Sequence, residues 1–145
     1  MSARENIAIN IAKQLENMTD PAPGSVSRVF FDVQKLAITQ FPAVLVISGD
    51  ETREDISTDL RLGVINYQLR CFVRGTQIDT LRNELVERIE ETLEVSRDRD
   101  ITLSSSNIHQ VSTRVTGIEV IERELPLGEV VVNVEVSYRY KKGVL

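Results

Sequence analysis

Apolar and polar residues alternate along the stretch Leu62–Arg74. One parity is apolar and the other is mostly polar: Ile65, Tyr67, Leu69, Cys71 and Val73 against Asn66, Gln68, Arg70 and Arg74. A period of two is typical of a strand that has one buried face and one wet face. The sequence therefore predicts a long strand in a half-covered sheet.

After Gly75 the period of the pattern changes. Apolar residues then recur at steps of three and four: Ile78, Leu81, Leu85, Ile89 and Leu93. Charged and polar residues fill the positions between them, so this spacing predicts an amphipathic helix. The strand has one apolar face and the helix has one apolar stripe, so we expect the two to pack against each other.

The rest of the chain predicts one more helix and four more strands. An apolar stripe indicates a helix over Ala3–Met18, which the prolines and glycine of 21–24 end. Alternation or a short apolar run predicts strands over these ranges: Val29–Val33, Pro42–Ile47, Ile108–Arg123 and Val130–Tyr140. Gly117 indicates a bulge in the third of them, and 95–106 is predicted to be loop.

This order of elements lacks the βαβ alternation of a parallel sheet. It predicts an α+β fold, a mostly antiparallel sheet with two amphipathic helices packed on one face. With 145 residues and no linker or repeat, the chain is predicted to form a single domain over 1–145.

The segment Gly49–Asp59 is the most charged part of the chain and is predicted to be a loop. Its acids outnumber its bases: Asp50, Glu51, Glu54, Asp55 and Asp59 against Arg53. The spacing does not match a calcium-binding loop, so we expect solvated side chains or a surface that meets a partner.

The composition indicates a globular protein and disfavours nucleic-acid-binding and membrane-spanning proteins. The chain is 41% hydrophobic and 27% charged with a net charge of −5, as in ordinary globular proteins. A net acidic chain is a poor candidate for gripping nucleic acid, which requires clustered basic side chains. The apolar runs are too short to cross a membrane, and we expect neither a membrane span nor a secretory signal.

The chain has few residues that suit catalysis or metal binding. Its one cysteine, Cys71, and one histidine, His109, exclude zinc-site spacings and an intrachain disulfide. We find no phosphate-binding glycine loop and no nucleophile elbow. Cys71 lies on the apolar parity of a strand, where cysteine acts as a small hydrophobe. We therefore expect no cofactor and no enzyme activity; a small α+β enzyme or ligand-binding domain that uses Cys71 or His109 is the more remote alternative.

The layout resembles the tail terminator family of long-tailed bacteriophages, the tail-completion proteins similar to minor tail protein U. The resemblance covers almost the whole chain and rests on these segments: the helix Ala3–Met18, Phe41–Ile47 running into Gly49–Glu51, Tyr67–Gly75, the helix Leu81–Leu93, and Pro126–Gly128 before a strand that ends in Tyr138–Tyr140. It is a pattern of elements and contains no catalytic signature.

The resemblance implies a structural protein of the virion tail. Members of the family form a six-fold ring that caps the finished tail tube, stops its polymerisation and presents the surface that joins tail to head. The implied partners are copies of the chain itself, the tail tube protein, a neck or connector protein and, in contractile tails, the sheath protein. DNA would pass through the ring without specific binding. A neck or head-completion protein, or a tail-tube protein, is the alternative within this class.

Two sets of residues are candidates for contacts in such a ring. Acidic side chains suit a channel wall or tube-facing rim, because a basic wall would hold DNA phosphates: Asp50, Glu51, Glu54 and Asp55. Two long strands, Leu62–Arg74 and Val130–Tyr140, are candidates for pairing edge to edge or packing between neighbouring copies. Their candidate interface residues are Arg70, Phe72, Arg74, Tyr138, Arg139 and Tyr140.

Overall fold

The computed structural model describes residues 3–94 and 108–142, except for the side chains of His109 and Gln110. These residues form two α-helices and five strands: α1 (Ala3–Glu16), β1 (Ser25–Ser27), β2 (Ala43–Asp55), β3 (Leu60–Arg74), α2 (Ile78–Glu94), β4 (Ile108–Ile121) and β5 (Leu127–Lys141). Two short 3-10 turns, Val33–Lys35 and Ile38–Gln40, precede β2. The α+β class is confirmed. The loop predicted over 95–106 lies outside the described residues.

The strands form one sheet in the order β1-β2-β3-β5-β4. The short β1 pairs with β2 in parallel, and every other pair is antiparallel. The strand predicted over Leu62–Arg74, β3, pairs with β2 on one side and with β5 on the other. β5 lies between β3 and β4.

Both helices share one hydrophobic core with a single face of the sheet. Side chains of the two helical stripes are fully buried there: Ile7, Ile11 and Leu15 of α1, and Leu85, Ile89 and Leu93 of α2. They pack with one parity of each long strand, such as Val44, Leu69 and Val132. The period-two strands and the period-3.6 helices therefore bury the faces that the sequence pattern indicates.

The opposite face of the sheet, here the open face, is only partly covered. At one end a smaller core contains Val33, Ala43, Leu45 and Phe72, and the connection 28–42 lies over it. Phe31 meets the Phe72 ring edge-on, with ring centroids 5.7 Å apart. Further along the same face, polar side chains of β3 face outward and are exposed.

The prediction of a strand over Val29–Val33 is wrong. The paired residues are Ser25–Ser27, and the chain then crosses the open face without a ladder partner. Phe31 and Val33 pack on the sheet in the smaller core, whereas Val29, which has the same parity, and Phe30 are exposed. Alternation alone does not distinguish a paired strand from an extended segment that packs on a face.

The charged segment after Gly49 is also different from the prediction. β2 continues as a strand to Asp55, and the turn begins only after it. A β-bulge lies between Ser48 and Glu51, so that an extra residue changes which parity faces the helices. Val44 and Val46 face the helices before the bulge, and Glu51 faces them after it, opposite Ile65.

Edge-to-edge pairing of β3 and β5 with other copies, the first of the two predicted alternatives, is wrong, whereas packing of these strands between copies stays a prediction. Both strands are internal to the sheet, and each is hydrogen-bonded to a neighbour on both sides. Within the described part of the chain, the two edges of the sheet are β1 and β4. β4 carries two irregularities, one of them between Val115 and Gly117, where a bulge was predicted.

Candidate functional site

Cys71 and His109 do not form a catalytic pair. Cys71 lies opposite Val130 of β5, and His109 lies opposite Arg139, nine residues further along the same strand. That separation corresponds to about 30 Å at the rise of a β-strand. Cys71 is fully buried, and burial raises the pKa of its thiol, so the thiolate form is disfavoured.

Across 3–94 and 108–142, no group of three or more His, Cys, Asp or Glu side chains is placed to hold a metal ion. Among the helices of this described part, none is long and apolar enough to span a membrane.

A buried carboxylate, Glu51, connects three elements at one end of the sheet. Its side chain is 6% exposed and accepts hydrogen bonds from Arg53 Nε at 2.7 Å, Arg4 Nη1 at 3.2 Å and the hydroxyl of Tyr138. Arg4 Nη2 also donates to the carbonyl oxygen of Gly49 at 2.6 Å, within the bulge. This cluster, here the Glu51 clamp, fixes the start of α1 to β2 and β5.

The electrostatics of the Glu51 clamp follow from its hydrogen bonds. Burial raises the pKa of Glu51, but hydrogen bonds from Arg53, Tyr138 and Arg4 outweigh burial and hold that pKa below its ordinary value of 4.5. Burial and the hydrogen bond to Glu51 raise the pKa of Tyr138. The carboxylate is therefore ionised and the phenol neutral near neutral pH, and both have partners, as in a structural cluster.

A second buried carboxylate, Glu129, lies at the other end of the sheet. Its side chain is 0% exposed and accepts from Arg123 Nε at 2.7 Å and from Arg70 Nε at 2.9 Å. Both guanidinium groups also lie over the ring of Phe72, at 5.2 and 5.4 Å from its centroid. Burial raises the pKa of Glu129, but Arg70 and Arg123 together lower it by more than burial raises it. The pKa of Glu129 is therefore below its ordinary value.

An apolar groove lies between α2 and the edge strand β4, with a volume of about 310 Å³. Ile118 and Val120 of β4 form one side and are large hydrophobic residues with exposed side chains. Val86 forms the helix side, and Glu87 and Glu90 lie on the rim. We call this surface, with Arg82 and Asn83, the α2–β4 groove.

A second exposed apolar surface lies at the β1 side of the molecule. Val29 and Phe30 follow β1 after one residue, Arg28, and their side chains are 75% and 70% exposed. They are held on both sides, because Arg28 forms two hydrogen bonds of 2.7 Å with the Glu5 carboxylate and Phe31 packs on Phe72. We call these two residues the Val29–Phe30 ridge.

The middle of the open face contains a shallow depression of about 540 Å³. Carboxamides of three residues line it, namely Asn66, Gln68 and Asn133. Asp50 lies at the border, beside the bulge. This surface presents amide donors and acceptors and one carboxylate among apolar lining atoms.

The four acidic candidates do not form one surface. Asp50 and Glu54 are exposed, whereas Glu51 is enclosed in the Glu51 clamp. Asp55 is exposed and forms ion pairs with Arg61 at 3.1 Å and Lys142 at 3.4 Å.

The six strand candidates also separate. Tyr138 and Tyr140 are buried on the helix side, stacked with ring centroids 5.5 Å apart, so they are core residues. Phe72 is buried in the smaller core, and Arg70 is its half-buried neighbour. The remaining two, Arg74 and Arg139, are exposed.

The sequence interpretation missed both apolar surfaces. Ile118 and Val120 lie in the strand predicted over Ile108–Arg123, but only the sheet order shows that this strand is an edge that α2 covers incompletely. Phe30 lies in the range Val29–Val33, which was predicted to be a strand. Phe30 alternates with the charged residues Arg28 and Asp32, so it stands at a position expected to face solvent. A large aromatic side chain at such a position indicates an exposed contact residue.

Comparison with known proteins gives no relative to set beside these surfaces: no protein-family model matches the chain, and no curated protein matches it.

Proposed function

We propose that this chain is a phage tail terminator: a protein that assembles with copies of itself into a ring, caps the tail tube and joins the tail to the head. The observation that carries the proposal is the pair of exposed apolar surfaces on opposite sides of one sheet, the α2–β4 groove and the Val29–Phe30 ridge. Exposed apolar patches mark association sites, and different patches on opposite sides suit a closed ring of copies. The resemblance of the whole element layout to tail terminators supplies the remaining support.

Tube-length control tests this function directly. The purified chain, added to tail tube protein during polymerisation, is expected to bind tube ends and stop growth, so that mean tube length falls as its concentration rises. Phage that lack the chain are expected to show overlong tails without heads in electron micrographs. Tails of normal, fixed length in that deletion would refute the proposal. Binding to head-side connectors with no effect on tubes would favour a neck protein.

Two exposed acids, Asp50 and Glu54, are proposed to face the DNA channel or the tube rim. Asp50→Lys with Glu54→Lys places two bases where phosphates pass, and we expect a lower infectious yield in a complementation assay. Glu16→Lys with Glu84→Lys, at exposed positions of α1 and α2, is the control that matches this charge change. Normal yield from the double variant would remove these two residues from the proposal.

A further inference from the structure

We propose that the α2–β4 groove of one copy receives the Val29–Phe30 ridge of the next copy. This inference rests on the proposed ring and names the contact that would build it. The occupant of the groove is thus a second copy of this chain, bound head to tail.

The shapes and chemistry of the two surfaces match. The groove is concave, and Val86, Ile118 and Val120 give it apolar walls; Val120 is 58% exposed. The ridge presents two adjacent apolar side chains, one of them aromatic, and aromatic anchors that fill apolar pockets are typical of binding hot spots.

The ridge is anchored before any partner binds. On the N-terminal side of the ridge, Arg28 donates two hydrogen bonds to the Glu5 carboxylate. On its C-terminal side, Phe31 packs on Phe72. Ser27 Oγ accepts from the Val29 amide at 3.0 Å. A contact residue held in place in the free protein loses less conformational freedom on binding, which favours association.

Charge also favours this pairing. Helix α2 contains six acidic and two basic side chains, and Glu87 and Glu90 on the groove rim form no ion pair with any described residue. In the connection 28–42, Arg28 is already paired with Glu5, whereas Lys35 is exposed and forms no ion pair with any described residue. A ridge seated in the groove brings the segment that carries this unpaired base to a net acidic helix.

The positions of the two surfaces determine the symmetry of the assembly. β1 and β4 are the opposite edges of the described sheet, so a ridge-to-groove contact uses a different surface of each copy. Such heterologous contacts produce closed rings when the rotation between copies closes. A two-fold dimer built on this contact would instead require the ridge and the groove to lie within one self-complementary surface.

A mixing experiment tests the contact. Phe30→Asp removes the ridge and Val120→Asp blocks the groove; each variant alone is expected to be monomeric at concentrations where the wild type assembles. Mixed in equal amounts, they retain one intact ridge and one intact groove, so sedimentation should detect a dimer and no larger species. Phe30→Ala is expected to weaken self-association by about 30-fold or more.

The controls separate a lost contact from a damaged fold. Ile56→Asp alters an exposed apolar residue in the β2–β3 turn and is expected to assemble as the wild type does. All three aspartate variants should unfold at the wild-type urea concentration, because each altered side chain is at least 42% exposed. If either Phe30→Asp or Val120→Asp assembles normally, or if the mixture contains only monomers, the contact is refuted.

A crosslinking experiment detects the contact even if the copies associate only weakly in solution. Phe30→Cys with Glu87→Cys in one chain, treated with a short thiol crosslinker, is expected to give a ladder of covalent oligomers. Ile56→Cys with Glu87→Cys should give none. The native Cys71 is buried and does not contribute. No ladder, with or without tubes present, would refute the contact.

The tube assay keeps this inference separate from the proposed function. If the wild type caps tubes and Phe30→Asp caps them equally well, the ridge contact is wrong and the terminator proposal stands. If the wild type never affects tubes but the mixing result holds, the contact is correct and the terminator proposal fails.

Discussion

Glu51 is the residue on which the largest number of elements depends, because its carboxylate is shared by α1, β2 and β5. We expect Glu51→Gln to lower the free energy of unfolding by about 1–3 kcal/mol, since charged acceptors form stronger hydrogen bonds than amides do. Urea denaturation measures the change. Glu54→Gln, on the same strand but exposed, should stay within about 0.5 kcal/mol of the wild type. Equal effects of the two substitutions would contradict the Glu51 clamp.

Acid stability is expected to depend on Glu51 and Glu129 together. Both have a lowered pKa in the folded protein, so their stabilisation is complete above the ordinary value of 4.5 and is lost as the pH falls through the folded value. The difference in unfolding free energy between the wild type and the Glu51→Gln, Glu129→Gln double variant should therefore be greatest near pH 7. It should shrink steadily below about pH 4.5. A difference that does not vary with pH would show that charge is not the cause.

Cys71 should be inert in the folded protein. It is fully buried and its thiol pKa is raised, so alkylation requires the sheet to open. We expect modification by iodoacetamide at pH 8 to be at least about 1,000-fold slower in buffer than in concentrated urea. Rapid labelling of the native protein would reveal an opening that the buried position does not predict. The same experiment bears on the remote enzyme alternative, which requires an accessible thiol.

Among the elements, α2 covers the centre of the sheet. Ile89 is fully buried between the helix and the strands, and Ile89→Ala should lower the free energy of unfolding by about 2–5 kcal/mol. Glu84→Ala on the exposed side of the same helix is the control, with an expected change within about 0.5 kcal/mol. Urea denaturation with an unchanged slope would attribute the loss to the core. A small effect at Ile89 would mean that α2 is loosely docked.

Elements with strong periodicity were predictable from the sequence, and the reason is physical. The apolar stripe of Leu81–Leu93 and the alternation of Val130–Tyr140 each mark one face of a single element. Which face is buried can therefore be predicted from the residues of that element alone. The helix α2 and the strands β3 and β5 therefore match their predictions within a few residues. The range Val29–Val33 failed because its alternation reflects packing on a face and not pairing with a strand.

The candidate site was predicted less well, because it depends on which strands are neighbours. Arg70 and Glu129 are 59 positions apart in the chain yet form an ion pair, and no local pattern relates them. The exposure of Val120 likewise follows from the position of β4 at an edge. The buried state of Glu51 follows from one extra residue in β2. A prediction that relies on strict alternation of buried and exposed residues does not detect such an insertion.

At the scale of the whole molecule, the two cores share the strands β2 and β3. Val44 and Val46 belong to the large core and Ala43 and Leu45 to the small one, so the cores alternate along the same strand. We therefore expect one cooperative unfolding transition, in which near-ultraviolet tyrosine signals and far-ultraviolet backbone signals coincide. Leu45→Ala should shift both signals equally. Separate transitions would mean that the connection 28–42 and its core unfold independently.

The bulge in β2 has a consequence for comparing this chain with other sequences. Gly49 and Asp50 together face the single residue Asn66, and every later pair of β2 with β3 is regular. A homologous protein one residue shorter at this point would keep the same partner for its equivalent of Glu51, opposite Ile65. An alignment gap placed further along β2 would match buried with exposed positions everywhere between the bulge and the gap. Alignments of this chain with distant sequences should therefore allow their single-residue gap at Gly49–Asp50.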